Sequence, residues 1–261
     1  MQLKKIQEIF ERFAPLRYSD ELVKATDGYD NSGLLLKNGA EIRRAVFALD
    51  FSEKAVAFAV EKKADLIVTH HPAIYRGILN VSDETPFGRA FLSAVKNGIS
   101  VYSMHLNLDV AEEGIDANLA SIFGKNPRIL IPLEVGVGYG RLTEVAPVTL
   151  KNLATKYKKA TGSSRVSVYG NPDRIVERVA SFCGGGSGAE ELALAVKHNA
   201  DVMVSADFPH HILAEALARG IAVLNVTHYS SEIYGFRAFY DFIINHLGGL
   251  PTDFFVDEAL L

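Results

Sequence analysis

His228 and Glu232 stand four residues apart in T-H-Y-S-S-E, and His70-His71 close the run T-H-H-P far upstream. With Asp109 they make three imidazoles and two carboxylates, a mixed nitrogen and oxygen donor set suited to two divalent metal ions such as Zn, Fe or Mn. Two such ions would activate a bridging water, so the chemistry expected is metal-dependent hydrolysis. A carboxylate can bridge two cations where a neutral imidazole cannot, which makes Glu232 the candidate bridge. Each residue also has a plainer reading. Adjacent histidines on a regular strand point to opposite faces, and only a strand end, with Pro72 forcing an extended or turned backbone, lets both serve one site. Asp109 would equally cap a helix starting near Val110, and Glu232 would suit the first turn of a helix through the macrodipole. The set carries the expectation, not any single member.

Other residues could assist such a site. His105 reads as a further ligand by the repeat, or otherwise as an orienter or a substrate contact. His210-His211, in F-P-H-H-I-L, open a helix where an imidazole could meet an anion or shuttle a proton. These three are the candidate catalytic residues. His198 and His246 read as surface. The run C-G-G-G-S-G (183–188) passes from a strand into a helix; its glycines suit either phosphate approach or a tight turn. Y-D-N-S-G-L (29–34) is a polar turn whose Asp30 and Asn31 could face the site.

The elements that position these residues alternate as in an α/β protein. Residues 43–51 read as a buried strand, 52–63 as a helix capped by Ser52, and A-D-L-I-V-T-H-H-P as a second strand ending at the histidines. A helix over 86–97 leads to a third strand and H-L-N-L-D. Downstream, V-E-R-V-A-S-F-C, a helix from 189, A-D-V-M-V-S-A-D, a helix over 209–219 and I-A-V-L-N-V repeat the plan. Ala64-Asp65 parallels Ala200-Asp201 at an offset of 136, and His105-x3-Asp109 parallels His228-x3-Glu232 at an offset of 123. These matches favour internal duplication over the general likeness of all βαβ units. The expected architecture is two similar α/β lobes with the metal site in the cleft between them, at the carboxyl ends of the strands. The first lobe is expected over 1–127 plus 222–261 and the second over 128–221, with the Gly- and Pro-punctuated segment 126–142 marking the passage.

Composition narrows the classes. Of 261 residues, 48% are hydrophobic and 22% charged, the balance of a globular protein, and the net charge of −4 calls for neither nucleic acid nor an anionic membrane. The single cysteine, Cys183, cannot form an internal disulfide, which suits a reducing compartment. No apolar run reaches the ~20 residues of a spanning helix, and the amphipathic, acid-containing N-terminus is unlike a signal peptide. A cytoplasmic location is expected.

Taken in order, Y-D-N-S-G-L, A-L-D (48–50), T-H-H-P, H-L-N-L-D, G-Y-G-R-L, C-G-G-G-S-G and H-Y-S-S-E give a chain that resembles the Nif-three-like dinuclear metal-centre family from about Tyr29 to the C-terminus. Its members often carry the label GTP cyclohydrolase one, type two. By position, the resemblance implies His70, His71, Asp109, His228 and Glu232 as ligands of two metals, with Glu232 touching both and His105 a neighbour. It further implies a homohexameric ring and a small-molecule substrate, a nucleotide such as GTP in the version the label suggests. Phosphoester hydrolysis suits the same donor set, and a non-catalytic, metal-handling or regulatory ring is the alternative. Tyr29 stands where the family usually has Trp, Ser32 where it has Val, and Leu106 where it has Thr. These departures remove no ligand and leave substrate preference open.

Overall fold

A computed structural model describes residues 1–261. The chain forms two compact units: unit 1 comprises 1–108 and 236–257, and unit 2 comprises 109–235 and 258–261. The first passage from unit 1 to unit 2 lies within a helix at 108–109 rather than at 127. The return lies within a helix at 235–236 rather than at 222. The Gly/Pro segment 126–142, expected to mark the passage, is instead a hairpin inside unit 2, pairing Arg128 with Leu142 and Pro132 with Gly138.

Unit 1 begins with helices α1 (Leu3–Phe13) and α2 (Leu16–Thr26), then strand β1 (Gly33–Leu36). The sequence then alternates β2 (Ala45–Ala48), α3 (Glu53–Glu61), β3 (Leu66–Thr69), α4 (Pro86–Lys96) and β4 (Ser100–Ser103). Ser52 caps α3 by accepting from Ala55 N, and Thr85 caps α4 by accepting from Gly88 N. Strands β2, β3 and β4 are buried at every residue, which is how short parallel strands covered on both faces read. Val46 and Ile67 pack with Val56, Ala59, Ala90 and Ala94 of α3 and α4. Toward the other face, Phe47 packs against Phe10, Phe236 and Tyr240. The sheet order is β1-β4-β3-β2-β11, where β11 (Thr252–Phe255) adds parallel to β2 and β1 antiparallel to β4.

Unit 2 starts in the short helix α5 (Leu106–Val110) and continues through α6 (Ile115–Ser121), β5 (Arg128–Pro132), β6 (Gly138–Thr149) and α7 (Leu150–Thr161). Next come β7 (Ser167–Tyr169), β8 (Ile175–Ser181), α8 (Ala189–Lys197), β9 (Val202–Ala206), α9 (His210–Ala218) and β10 (Ala222–Val226). The sheet order is β5-β6-β8-β9-β10-β7, with β8, β9 and β10 parallel and β7 antiparallel to β10. Both units therefore hold three consecutive parallel strands joined by helices, with an antiparallel strand beside the third. Asp65 accepts from the backbone of Arg43, and Asp201 of the second Ala-Asp pair accepts from the backbones of Glu177 and Arg178. Each carboxylate ties the chain entering one strand to the strand before it. A long helix, α10 (His228–Ile243), follows β10.

Candidate metal centre

In unit 1 the strand β3 ends one residue before the histidine pair. The backbone N–H groups of His70 and His71 both donate to the carbonyl of Leu49, at 3.1 and 2.9 Å, and Thr69 Oγ1 donates to the His71 carbonyl at 2.8 Å. A regular strand would alternate these directions; the shared acceptor shows that the chain has left strand geometry. The two rings consequently lie with centroids 4.9 Å apart instead of on opposite faces. His105, just past β4, joins them, and ring nitrogens of His70, His71 and His105 all fall within 4.8 Å of one another. His70 is fully buried.

In unit 2, α10 begins at His228 itself, so His228 and Glu232 are successive turns of one helix. His228 Nε2 lies 3.0 Å from Glu232 Oε1. Asp109 lies inside α5 and is not a cap preceding it. Its carboxylate and that of Glu232, both buried, bring oxygens within 4.8 Å of each other. His210 and His211 occupy the exposed first turn of α9, outside these groups. His246 is exposed, as expected, and His198 is half-buried.

The tautomers are legible from the hydrogen bonds. His70 Nδ1 meets the Met104 carbonyl at 2.8 Å, His71 Nδ1 meets Asp50 at 2.7 Å and His105 Nδ1 meets Asp30 at 2.7 Å. His228 Nδ1 meets Asp207 at 2.6 Å. All four imidazoles thus have Nδ1 on an oxygen, which makes Nδ1 the protonated nitrogen and puts the lone pair on Nε2. Burial on its own would raise the pKa of Asp30. Hydrogen bonds from His105, Ser19 and Ser32 outweigh it, and the carboxyl is lowered to about 2.

This chemistry fits a divalent cation. In His228, a lone pair on Nε2 faces a carboxylate oxygen at 3.0 Å, and two acceptors at that separation attract only if a proton or metal ion lies between or beside them. Two buried carboxylates within 4.8 Å likewise repel until a cation joins them. The glycine loop supplies clearance. At Gly184, with φ of +58°, an added Cβ would lie 2.4 Å from Glu232 Oε1 and 3.3 Å from His228 Nε2. At Gly186 a Cβ would strike the Tyr139 hydroxyl at 2.3 Å. The loop is therefore shaped by its turn and by the space Glu232 and His228 need.

Asp50, Asp207 and Cys183 are site residues that spacing did not single out. Asp50 and Asp207 each follow closely on the carboxyl end of a parallel strand, β2 or β9, a position that flags them in an α/β sheet. Beside His105, Tyr75 and Tyr29 pack edge to face at 5.3 Å, and the Arg76 guanidinium lies 4.9 Å from the Tyr29 ring. Tyr75 Oη donates to the Tyr29 carbonyl and Asn31 Nδ2 to the Ile74 carbonyl, which fixes this rim.

The profile of a family described as Duf34/NIF3 (NGG1p interacting factor 3) matches residues 1–256. A protein of Clostridium perfringens named GTP cyclohydrolase 1 type 2 homolog is 30% identical over 89% of this chain and 87% of its own length. A Methanocaldococcus jannaschii protein of the same name is 30% identical over 95% and 96%. Among solved structures, a Bacillus cereus protein related to NIF3 superposes with a TM-score of 0.86 at 18% identity, covering 99% of this chain and 98% of that one. Reduced HcgD from Methanocaldococcus jannaschii gives a TM-score of 0.81 at 27% identity, covering 97% of each.

Proposed function

Because this chain belongs to the Duf34/NIF3 family, we propose that it binds two divalent metal ions (Zn, Fe or Mn) and hydrolyses a small molecule with them. His70, His71, Asp109, His228 and Glu232 would hold the ions, with Glu232 the carboxylate able to serve both. The observation that carries this reading is the uniform pinning of Nδ1 in His70, His71, His105 and His228. Isolated surface histidines have no reason to share one tautomer; metal ligands do.

The helices on which the chain changes unit, α5 and α10, are the two that carry Asp109 and Glu232. Asp109 is four residues beyond His105, and Glu232 is one turn before Phe236, whose ring packs 6.2 Å from that of His70.

When bound, two such cations lower the pKa of a shared water and polarise the oxygen it attacks. Around them, His105 takes and returns a proton at Nε2, with Asp30 holding Nδ1. His210 and His211 receive an anionic group of the substrate at the first turn of α9. The Tyr29–Tyr75 pair and Arg76 offer a planar heteroaromatic ligand one aromatic and one cationic face. That rim and the relatives' names favour a purine nucleotide over a simple phosphoester as substrate. The resemblance to the family also implies assembly of six copies into a ring. No helix is long and apolar enough to cross a membrane.

The test is hydrolysis of GTP, other nucleotides and model phosphoesters by metal-replete protein, with His71→Ala as control. Turnover should vanish in the variant, and turnover that persists there unchanged refutes the mechanism. Stoichiometric uptake of two metals without turnover on any substrate would assign a metal-handling role instead.

A further inference from the structure

Unit 2 contains a buried polar chain that the ligand set does not use. Asp116 is fully buried and pairs through Oδ2 with Arg141 Nη1 at 3.0 Å; Arg141 is buried as well and also donates to the carbonyls of Gly138 and Gly140. Asp116 Oδ1 accepts the backbone N–H of Cys183 at 3.2 Å. Tyr139 Oη donates to the Cys183 carbonyl at 2.5 Å, and the next N–H, of Gly184, donates to Ser231 Oγ at 2.9 Å. Cys183 is thus held at both of its backbone polar groups. Its Sγ lies 3.3 Å from Asp109 Oδ1. A thiol S–H set against a carboxylate oxygen at that distance is a donor.

We propose that Cys183 is a positioning residue for Asp109: its S–H donates to Oδ1 and fixes the carboxylate plane, so that Oδ2 is the oxygen presented to the cation. Arg141, Asp116 and Tyr139 hold Cys183 in the place from which it does so. This rests on the reading of Asp109 as a ligand. It gives G-Y-G-R-L and the cysteine of C-G-G-G-S-G one shared task. Partners of this kind around metal ligands are worth roughly 10–100-fold in metal affinity.

The chain has one cysteine, so its infrared spectrum holds a single S–H stretching band. In metal-free wild-type protein that band should lie below the position of an unbonded thiol, and Asp109→Asn should move it upward. A band at the unbonded position, unmoved in Asp109→Asn, overturns the proposal without any cysteine variant having to fold. Co(II) titration of the metal-free protein supplies the second measurement. Cys183→Ala should bind about 10-fold more weakly or worse, with altered d–d bands and an unchanged circular dichroism spectrum, while Cys183→Ser, which keeps a donor, should stay close to wild type. Wild-type affinity and bands in Cys183→Ala overturn the positioning role alone. So does a sulfur-to-cobalt charge-transfer band, which would make Cys183 a ligand. A wild-type protein that takes up no Co(II) overturns the metal-centre reading, and this inference with it.

Discussion

Gly184→Ala isolates the geometry on which the site depends. The residue has φ of +58°, where an L side chain costs about 1–2 kcal/mol. The new methyl would lie 2.4 Å from Glu232 Oε1, closer than any carbon–oxygen contact allows, so Glu232 must leave its rotamer at about 0.5–1.5 kcal/mol. The sum is about 2.5 kcal/mol, or roughly 5–10 °C in melting temperature for a chain of this size. Metal affinity should fall further than stability, because the displaced group is the proposed bridging carboxylate. Gly185→Ala is the control: its φ needs no glycine, and its nearest neighbour across the loop is Asp207 Oδ2 at 3.9 Å. Thermal melts of the metal-free proteins, followed by Zn(II) titration, measure both effects. Gly184→Ala that melts within a degree of Gly185→Ala and binds zinc equally well would refute the reasoning.

Two other substitutions probe the carboxylates behind the site. Asp30 ionises at about 2 instead of its usual 3.8. It therefore contributes about 2 kcal/mol that is fully present above pH 3.8 and is lost as the pH falls through about 2. Urea unfolding of chelator-treated Asp30→Asn should show that deficit at pH 6, shrinking to nothing near pH 2; a deficit independent of pH would mean the bonds from His105 and the two serines act sterically. Arg141→Met should destabilise by about 3–5 kcal/mol, since it leaves a fully buried Asp116 without its cation. Adding Asp116→Asn should recover more than half of this, because the amide oxygen still accepts from Cys183 N. An Arg141→Met chain unfolding within about 1 kcal/mol of wild type would contradict the burial argument.

The sequence made the parallel strands legible because β2, β3, β4, β9 and most of β10 are buried almost throughout, and only unbroken apolar runs satisfy that environment. The unit boundaries were not legible, for a physical reason: α5 and α10 carry the chain between units without leaving helical geometry. No proline or change of composition is needed there, and the glycine at the second crossing, Gly235, serves the close approach of the Ile115 backbone. The Gly/Pro run at 126–142 marks a hairpin because hairpins, unlike such helices, demand turn residues. The acceptors of the histidines were equally silent. Asp50 and His71 are 21 residues apart, as are Asp207 and His228, and no spacing rule reads a contact made across neighbouring strands.

The spacing that did carry information is the four-residue step of His105 to Asp109 and of His228 to Glu232. In each case a helix begins at the carboxyl end of the third parallel strand: α5 immediately after His105, α10 at His228 itself. A helix starting there must set a residue four positions on over the same strand end, so a donor pair at that interval is a statement about topology as well as chemistry. The two units differ at the residues preceding them. Unit 1 ends its second parallel strand in T-H-H, and unit 2 ends the corresponding strand in S-A-D. One unit consequently carries two imidazoles at that strand end. The other supplies Asp207, whose carboxylate serves to orient His228. The difference sets imidazoles at that strand end in unit 1 and a carboxylate at that strand end in unit 2. Exchanging them, as in His71→Asp combined with Asp207→His, keeps the overall inventory but removes the acceptor from His228 Nδ1. Metal affinity should then collapse although no donor type has been lost.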